Sequence, residues 1–336
     1  MNQLSTPIVS DAKKHPTTVR MSYLDAIVQA QIEEMERDER VIMMGEDIAI
    51  YGSGKLLEKF SADRVWNTPI SETSFTGIGI GAAITGLRPI IDFNIASFMY
   101  LASDQVINQA AKLRYMTAGQ VKIPIVFRVC MFYGTSLAAQ HSDRPYPLFM
   151  NVPGLKIISP TSPSDVKGLL KAAVRDDDPV MMFEDTKLWG LKDDVPTDPD
   201  FLLPIGKADI KRAGTDVTIV AISGAMRVAL EAVDVLSVQG ISAELIDPRT
   251  LKPLDTETIL RSVAKTGRLV VMENAHRICG VAAEVAATVA EKGFEYLKKP
   301  ILRLTAPDVH VPFSPALEER LFPNTDQLVA AVKKLL

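Results

Sequence analysis

The chain has 336 residues, enough for two domains that each bury a core. Its 47% hydrophobic and 23% charged residues are those of a globular protein, and a net charge of -4 without any Lys/Arg-rich run argues against a nucleic-acid partner. Two distant cysteines, Cys130 and Cys279, exclude a disulfide framework or a zinc ribbon, so a reducing, cytoplasmic setting is the expectation.

Residues 1–19 are polar and carry Pro7, His15 and Pro16; they read as a loose leader without the apolar core of a signal peptide. A helix follows. Leu24, Ile27, Val28, Ile32 and Met35 fall at helical spacing, with Glu33, Glu34, Glu36 and Arg37 expected on the opposite face. Ser22 is a candidate cap, with Asp25 three residues on. Residues 41–44 form a short apolar run that ends in Gly45-Glu46-Asp47, which predicts a buried strand with acids at its C-terminal end, where open α/β sheets hold ligands. The apolar stretch 77–89 is Gly-rich and reaches Arg88 too early to span a membrane.

Residues 89–93, 123–129, 155–159 and 180–183 are further short apolar runs, expected as central strands of a parallel sheet. Ser162-Pro163-Ser164-Asp165 announces a helix that runs through Leu169, Leu170 and Val174. Between Asp185 and Lys207 the periodicity lapses into Pro196, Pro199, Pro204 and several aspartates, the composition of a linker. A second α/β unit follows, with strands expected at 217–222, 243–246, 269–272 and 301–304 and helices at 226–236, 256–263, 282–291 and 325–335. The fold class expected is α/β, with two doubly wound domains and largely parallel sheets: a leader at 1–19, a first domain at 20–185, a linker at 186–207 and a second domain at 208–336.

Several motifs lead nowhere. Gly77-Ile-Gly-Ile-Gly-Ala82 fits a loose dinucleotide pattern, yet the polar segment before it, broken by Pro69, is not the buried strand that the fingerprint needs. A helix whose small residues Gly77, Gly81, Ala82 and Thr85 admit a close neighbour is the simpler reading. Gly52-Ser53-Gly54-Lys55 lacks P-loop spacing and reads as a turn. His15, His141, His276 and His310 are scattered, and no Gly-x-Ser-x-Gly elbow exists. Two acids remain as candidates. Glu46 ends a strand, and Glu72 opens a Gly-rich apolar helix, where burial would raise a carboxyl pKa toward neutrality. By residues alone, the reading of a surface acid or a helix-start neighbour outweighs a catalytic one for each.

A series of motifs in register settles more. Asn67-Thr-Pro-Ile-Ser-Glu72, Gly86-Leu-Arg-Pro89, Asp104-Gln-Val-Ile-Asn-Gln-Ala-Ala-Lys112, Ala139-Gln-His-Ser142, Val152-Pro-Gly-Leu-Lys156 and the run from Gly168 to Pro179 resemble the beta subunit of thiamine-diphosphate-dependent 2-oxo acid dehydrogenase decarboxylases. The likeness covers about residue 20 onward, and Arg114-Tyr-Met116, Tyr146-Pro-Leu-Phe149 and the 305–318 stretch lean toward the acetoin branch over the pyruvate branch.

The resemblance implies a transketolase-like pyrimidine-binding domain followed by a transketolase C-terminal-like domain. It implies thiamine diphosphate shared with an alpha subunit that holds the diphosphate and Mg2+, in an α2β2 heterotetramer that serves a lipoyl acyltransferase. The Gly-Asp-Gly diphosphate motif is absent here, as a beta subunit would have it, so activity is expected only with the alpha partner. By position, Glu72 matches the glutamate that bonds the pyrimidine ring nitrogen, Phe98 the aromatic stacked on that ring, His141 a histidine at the mouth of the cofactor channel, and Glu46 an acid near the cofactor. A K+ site is implied at Ile125, Ala173, Val174, Asp176 and Asp178. The second domain is expected to serve assembly, with His276 and His310 structural.

Two departures stand out: the bulky Val129-Cys-Met-Phe-Tyr-Gly134, where relatives are Gly-rich, and a short loop at 48–55. Both leave the substrate open, between acetoin and a pyruvate-type 2-oxo acid, and also the acceptor. A two-subunit thiamine enzyme outside any multienzyme complex and a non-catalytic scaffold are the alternatives.

Overall fold

The computed structural model describes residues 17–48 and 53–336. Most of the expected leader, His15, Gly52 and the centre of the 48–55 loop lie outside the described residues. Fourteen strands are described: β1 (Thr18–Ser22), β2 (Val41–Gly45), β3 (Val65–Asn67), β4 (Arg88–Ile95), β5 (Val126–Met131), β6 (Lys156–Ile158), β7 (Val180–Asp185), β8 (Lys192–Pro196), β9 (Asp209–Arg212), β10 (Val217–Ala221), β11 (Ala243–Asp247), β12 (Thr250–Lys252), β13 (Leu269–His276) and β14 (Leu302–Ala306).

Seven of them form one sheet in the order β12-β6-β7-β5-β4-β2-β3, parallel except for β12. Five form a second, β14-β13-β10-β11-β9, parallel except for β9. The apolar runs became strands because β2, β5, β7, β10 and β11 are buried along their whole length, between helices on both faces. Helices begin where the caps predict: the Asp25 amide donates to the Ser22 hydroxyl at 3.1 Å, and the Asp165 amide to that of Ser162 at 3.1 Å.

Four details differ from the sequence expectation. Glu33 and Glu34 do not face solvent: Tyr23–Arg37 packs on Pro163–Arg175, and Glu34 is buried against Arg175 at 2.8 Å while Glu33 takes Lys167 at 2.7 Å and Lys171. Long basic side chains thus turn an apparent polar face into a helix contact. Second, β1 starts at Thr18, inside the stretch read as leader, and β8 lies in the stretch read as linker; the two pair antiparallel. Third, Ser53-Gly54-Lys55 is no loose turn, since the helix Gly54–Arg64 starts there. Fourth, in the helix Glu72–Ile84 the tight glycine is Gly79, where a Cβ would stand 2.5 Å from the Ile91 side chain, whereas Gly77 and Gly81 are exposed.

The two sheets share a core. β12 follows the second domain's β11 yet pairs with β6 of the first sheet, and Val220, Ile222, Ile246 and Leu251 pack in one cluster with Tyr146, Phe149 and Phe183. Polar contacts cross the same seam. Tyr146 donates its hydroxyl to Glu273 at 3.0 Å, and Lys211 and Arg249 reach Asp165 at 2.7 and 3.1 Å.

Candidate active site

The site is built on strand ends. β2 closes on Gly45 and delivers Glu46; β3 runs into residues 68–71, after which Glu72 is the first residue of its helix. The Thr68 amide donates to the Gly45 carbonyl at 2.8 Å, and the Ile48 amide to the Asn67 side chain at 2.9 Å, which clamps the two connections together. Glu46 and Glu72 are 1% and 5% exposed. Neither carboxyl oxygen of Glu46 has a hydrogen-bond partner among the described residues. Burial first, then the nearby charges of Glu72, Asp47 and Asp92, push its carboxyl up to about 7. Such a group holds and releases a proton near neutral pH.

Phe98 and His141 meet on the same edge of the sheet. Phe98 lies in the 3-10 turn Ala96–Ala102 after β4, and His141 ends the short helix Ala138–His141 in the connection after β5. Their rings stand edge to face, centroids 5.4 Å apart at 85°, both half-buried. The Ser97 hydroxyl donates to the Gln140 carbonyl and locks the two connections. The Thr73 hydroxyl, beside Glu72, donates to the Leu101 carbonyl at 2.6 Å, so the helix that Glu72 opens is tied to the turn bearing Phe98.

Residues that carry no motif hold this edge in place. Arg128 on β5, only 3% exposed, donates to Glu184 on β7 at 2.6 Å and to Asp92 on β4 at 3.0 Å. Asp92 accepts from the Asn94 amide at 2.9 Å, and the Asn94 side chain donates to the Glu46 carbonyl at 2.7 Å. One row of bonds therefore runs from the middle of the sheet to Glu46. Asn94 has φ +56, a left-handed conformation that asparagine tolerates. Gly45 leaves room for the Asp92 carbonyl where any Cβ would collide.

The residues matched to a K+ site also gather, near the end of Pro163–Arg175. The carbonyls of Val174 and Asp176 both accept from Arg88 at 2.9 Å, the Ile125 carbonyl accepts from the Val180 amide at 3.0 Å, and that of Ala173 from the Asp176 amide at 3.2 Å. The Asp176 carboxylate lies 2.7 Å from Lys156, and Asp178 pairs with Arg114. Among the described residues no group of three or more His, Cys, Asp or Glu is arranged to hold a metal. His276 and His310 are exposed, and His276 Nδ1 lies 2.8 Å from the Pro307 carbonyl. No described helix is long and apolar enough to cross a membrane.

Residues 19–190 match the family "Transketolase, pyrimidine binding domain", and residues 206–328 match "Transketolase, C-terminal domain". The beta subunit of acetoin:2,6-dichlorophenolindophenol oxidoreductase from Bacillus subtilis (strain 168) is 44% identical over 94% of this chain and 97% of its own length. The chain belongs to the beta-subunit family of thiamine-diphosphate-dependent acetoin and 2-oxo acid dehydrogenases. The pyruvate dehydrogenase E1 component subunit beta from Rhizobium meliloti (strain 1021) is 45% identical over 93% of this chain and 69% of its own length. The 2-oxoisovalerate dehydrogenase subunit beta of Bacillus subtilis (strain 168) is 42% identical over 94% and 98%. Among solved structures, a split-gene transketolase described as an inactive beta4 tetramer superposes with a TM-score of 0.77 over 96% of this chain and 99% of that one, at 24% identity, a likeness of fold. The largely parallel α/β architecture is thus transketolase-like, with a match to each of the two transketolase domain families.

Proposed function

We propose that this chain is the beta half of a decarboxylase component that cleaves the bond next to the carbonyl of acetoin or a pyruvate-type 2-oxo acid and passes the acyl group to a lipoyl domain. The observation that carries this reading is the buried pair Glu46 and Glu72, with the helix of Glu72 tied through Thr73 to the turn where Phe98 meets His141. An aminopyrimidine needs a carboxyl at a ring nitrogen and a flat apolar face, and this set offers both. Thiamine diphosphate, when bound, supplies the carbon nucleophile and the electron sink.

In this reading Glu72 holds a proton at the pyrimidine ring nitrogen, Phe98 presents its face to that ring, and His141 moves a proton at the substrate oxygen. Glu46, with its free oxygens and raised pKa, stores a proton next to Glu72. The alpha subunit supplies the diphosphate and Mg2+ contacts in an α2β2 assembly, and the 125 and 173–178 segment holds K+. Ile70, Ile78 and Leu101, 75%, 56% and 66% exposed around the helix of Glu72, favour a protein partner over that edge.

The test is co-purification with the alpha subunit, then turnover of acetoin and of pyruvate with 2,6-dichlorophenolindophenol as electron acceptor. Glu72→Gln is expected to lower kcat at least about a hundredfold. Turnover unimpaired by that substitution overturns the assignment.

A further inference from the structure

The segment between β5 and His141 is where this chain departs from a Gly-rich pattern, and its fixation comes from the other domain. Glu318, in the short helix Pro315–Glu318 near the C-terminus, is 1% exposed. Its carboxylate accepts from the Gly134 amide at 2.6 Å and the Ser136 amide at 3.1 Å, across more than 180 residues of sequence. Gly134, Ser136 and Ala138 all have φ near +60 (67, 58 and 59), so this backbone turns through left-handed positions that two of its residues favour poorly. A carboxylate taking two amides of such a segment selects one conformation of it.

A second device closes the same loop at its base. Arg144 Nη1 donates to the Ser142 carbonyl at 2.8 Å and the Phe132 carbonyl at 3.4 Å, one on each side of the 133–141 stretch. Its guanidinium lies 5.0 Å from the Tyr133 ring and 4.6 Å from that of Phe322, and those two rings are 4.6 Å apart. Phe322 again belongs to the second domain. The Tyr133 ring thus finds its contacts at Phe322 and Arg144, while the Phe132 ring stands edge-on to Trp189 at 5.8 Å and packs with Ile95 and Cys130.

We propose that Glu318 is a positioning residue for the reaction: through the Gly134 and Ser136 amides, and with Arg144 and Phe322 closing the loop, the second domain sets where His141 stands against Phe98. This rests on the reading of His141 as a proton-moving group, and it gives the second domain a part in the chemistry beyond assembly. The proposal has two separable readouts. In the full chain, amide hydrogen exchange at Gly134 and Ser136 is expected to quicken by about tenfold or more in Glu318→Ala, with protection in β10 and β13 retained. Glu318→Gln keeps one acceptor oxygen and should fall between wild type and alanine, which covers the case in which alanine does not fold.

In the assembled enzyme, with acetoin and pyruvate as probes, Glu318→Ala is expected to lower kcat by about ten- to a hundredfold with KM little changed. That loss should vanish when the substitution is made in a His141→Ala background. Unchanged exchange at Gly134 and Ser136, or a loss that persists in full without His141, overturns the proposal. If His141→Ala alone turns over normally while exchange still quickens in Glu318→Ala, the role of His141 is what fails, and the positioning of catalysis falls with it while the loop contact stands.

Discussion

Glu46 lies close enough to Glu72 for the charge of Glu72 to be the largest electrostatic influence on it after burial itself. The Glu46 carboxyl is raised from an ordinary 4.5 to about 7, so the folded chain binds its proton more tightly than the unfolded chain does. The sign follows: the contribution of Glu46 to stability is complete below about pH 4.5, and it is lost as pH rises toward 7. Glu46→Gln removes that dependence. It is expected to stabilise the chain by about 1–3 kcal/mol at pH 8 and by little at pH 5, a difference that urea midpoints at the two pH values measure.

Arg128 offers the opposite case. It is the cation for two buried carboxylates, Asp92 and Glu184, on the neighbouring strands. Arg128→Leu leaves both unpaired and is expected to cost about 3–5 kcal/mol near neutral pH. Burial already raises the Glu184 carboxyl, so protonation relieves part of that cost, and the deficit should shrink as pH falls into the acid range. Thermal melts of the variant at pH 7 and pH 5 check both statements.

The central strands could be read from sequence because they are buried on both faces and so appear as apolar runs; β2, β7 and β11 begin at the residue expected. β8, Lys-Asp-Asp-Val-Pro, could not, since four of its five residues face outward or partly outward and only pairing with β1 makes it a strand. β12 is three residues long and exists because β6 offers it an edge. Motif register marks Glu72, His141 and Phe98, and a place at the end of a strand marks Glu46. Asp92, Asn94 and Arg128 carry no such signal. Their chemistry emerges only when β4, β5 and β7 lie side by side, and the grip of Glu318 on Gly134 needs two domains folded together.

Phe98 and His141 meet edge to face, and Phe98 is otherwise only half-buried. If that ring receives the pyrimidine, Phe98→Ala removes a stacking face worth about 0.5–1.5 kcal/mol beyond buried area. The expected result is thiamine diphosphate binding weakened roughly tenfold in the assembled enzyme, with kcat at saturating cofactor far less affected. Calorimetric titration of the cofactor in the presence of Mg2+ reads the first quantity, and turnover at saturation the second. Equal affinity in both proteins refutes the stacking role.

Arg88 bears on the cation site, because its guanidinium already takes the carbonyls of Val174 and Asp176 and also pairs with Asp177 at 2.9 Å. K+ at the same cluster would have to share those oxygens with Arg88. Removing the guanidinium in Arg88→Ala frees both carbonyls, at an expected cost of about 1–3 kcal/mol for the lost charged hydrogen bonds. The freed oxygens favour a hard monovalent ion, so KCl should recover more of the melting temperature of the variant than NaCl at equal ionic strength. Wild type should show a smaller K+-specific rise, since one cation is supplied by the chain itself. Identical melting curves in the two salts, for both proteins, rule out a K+ site at 125 and 173–178.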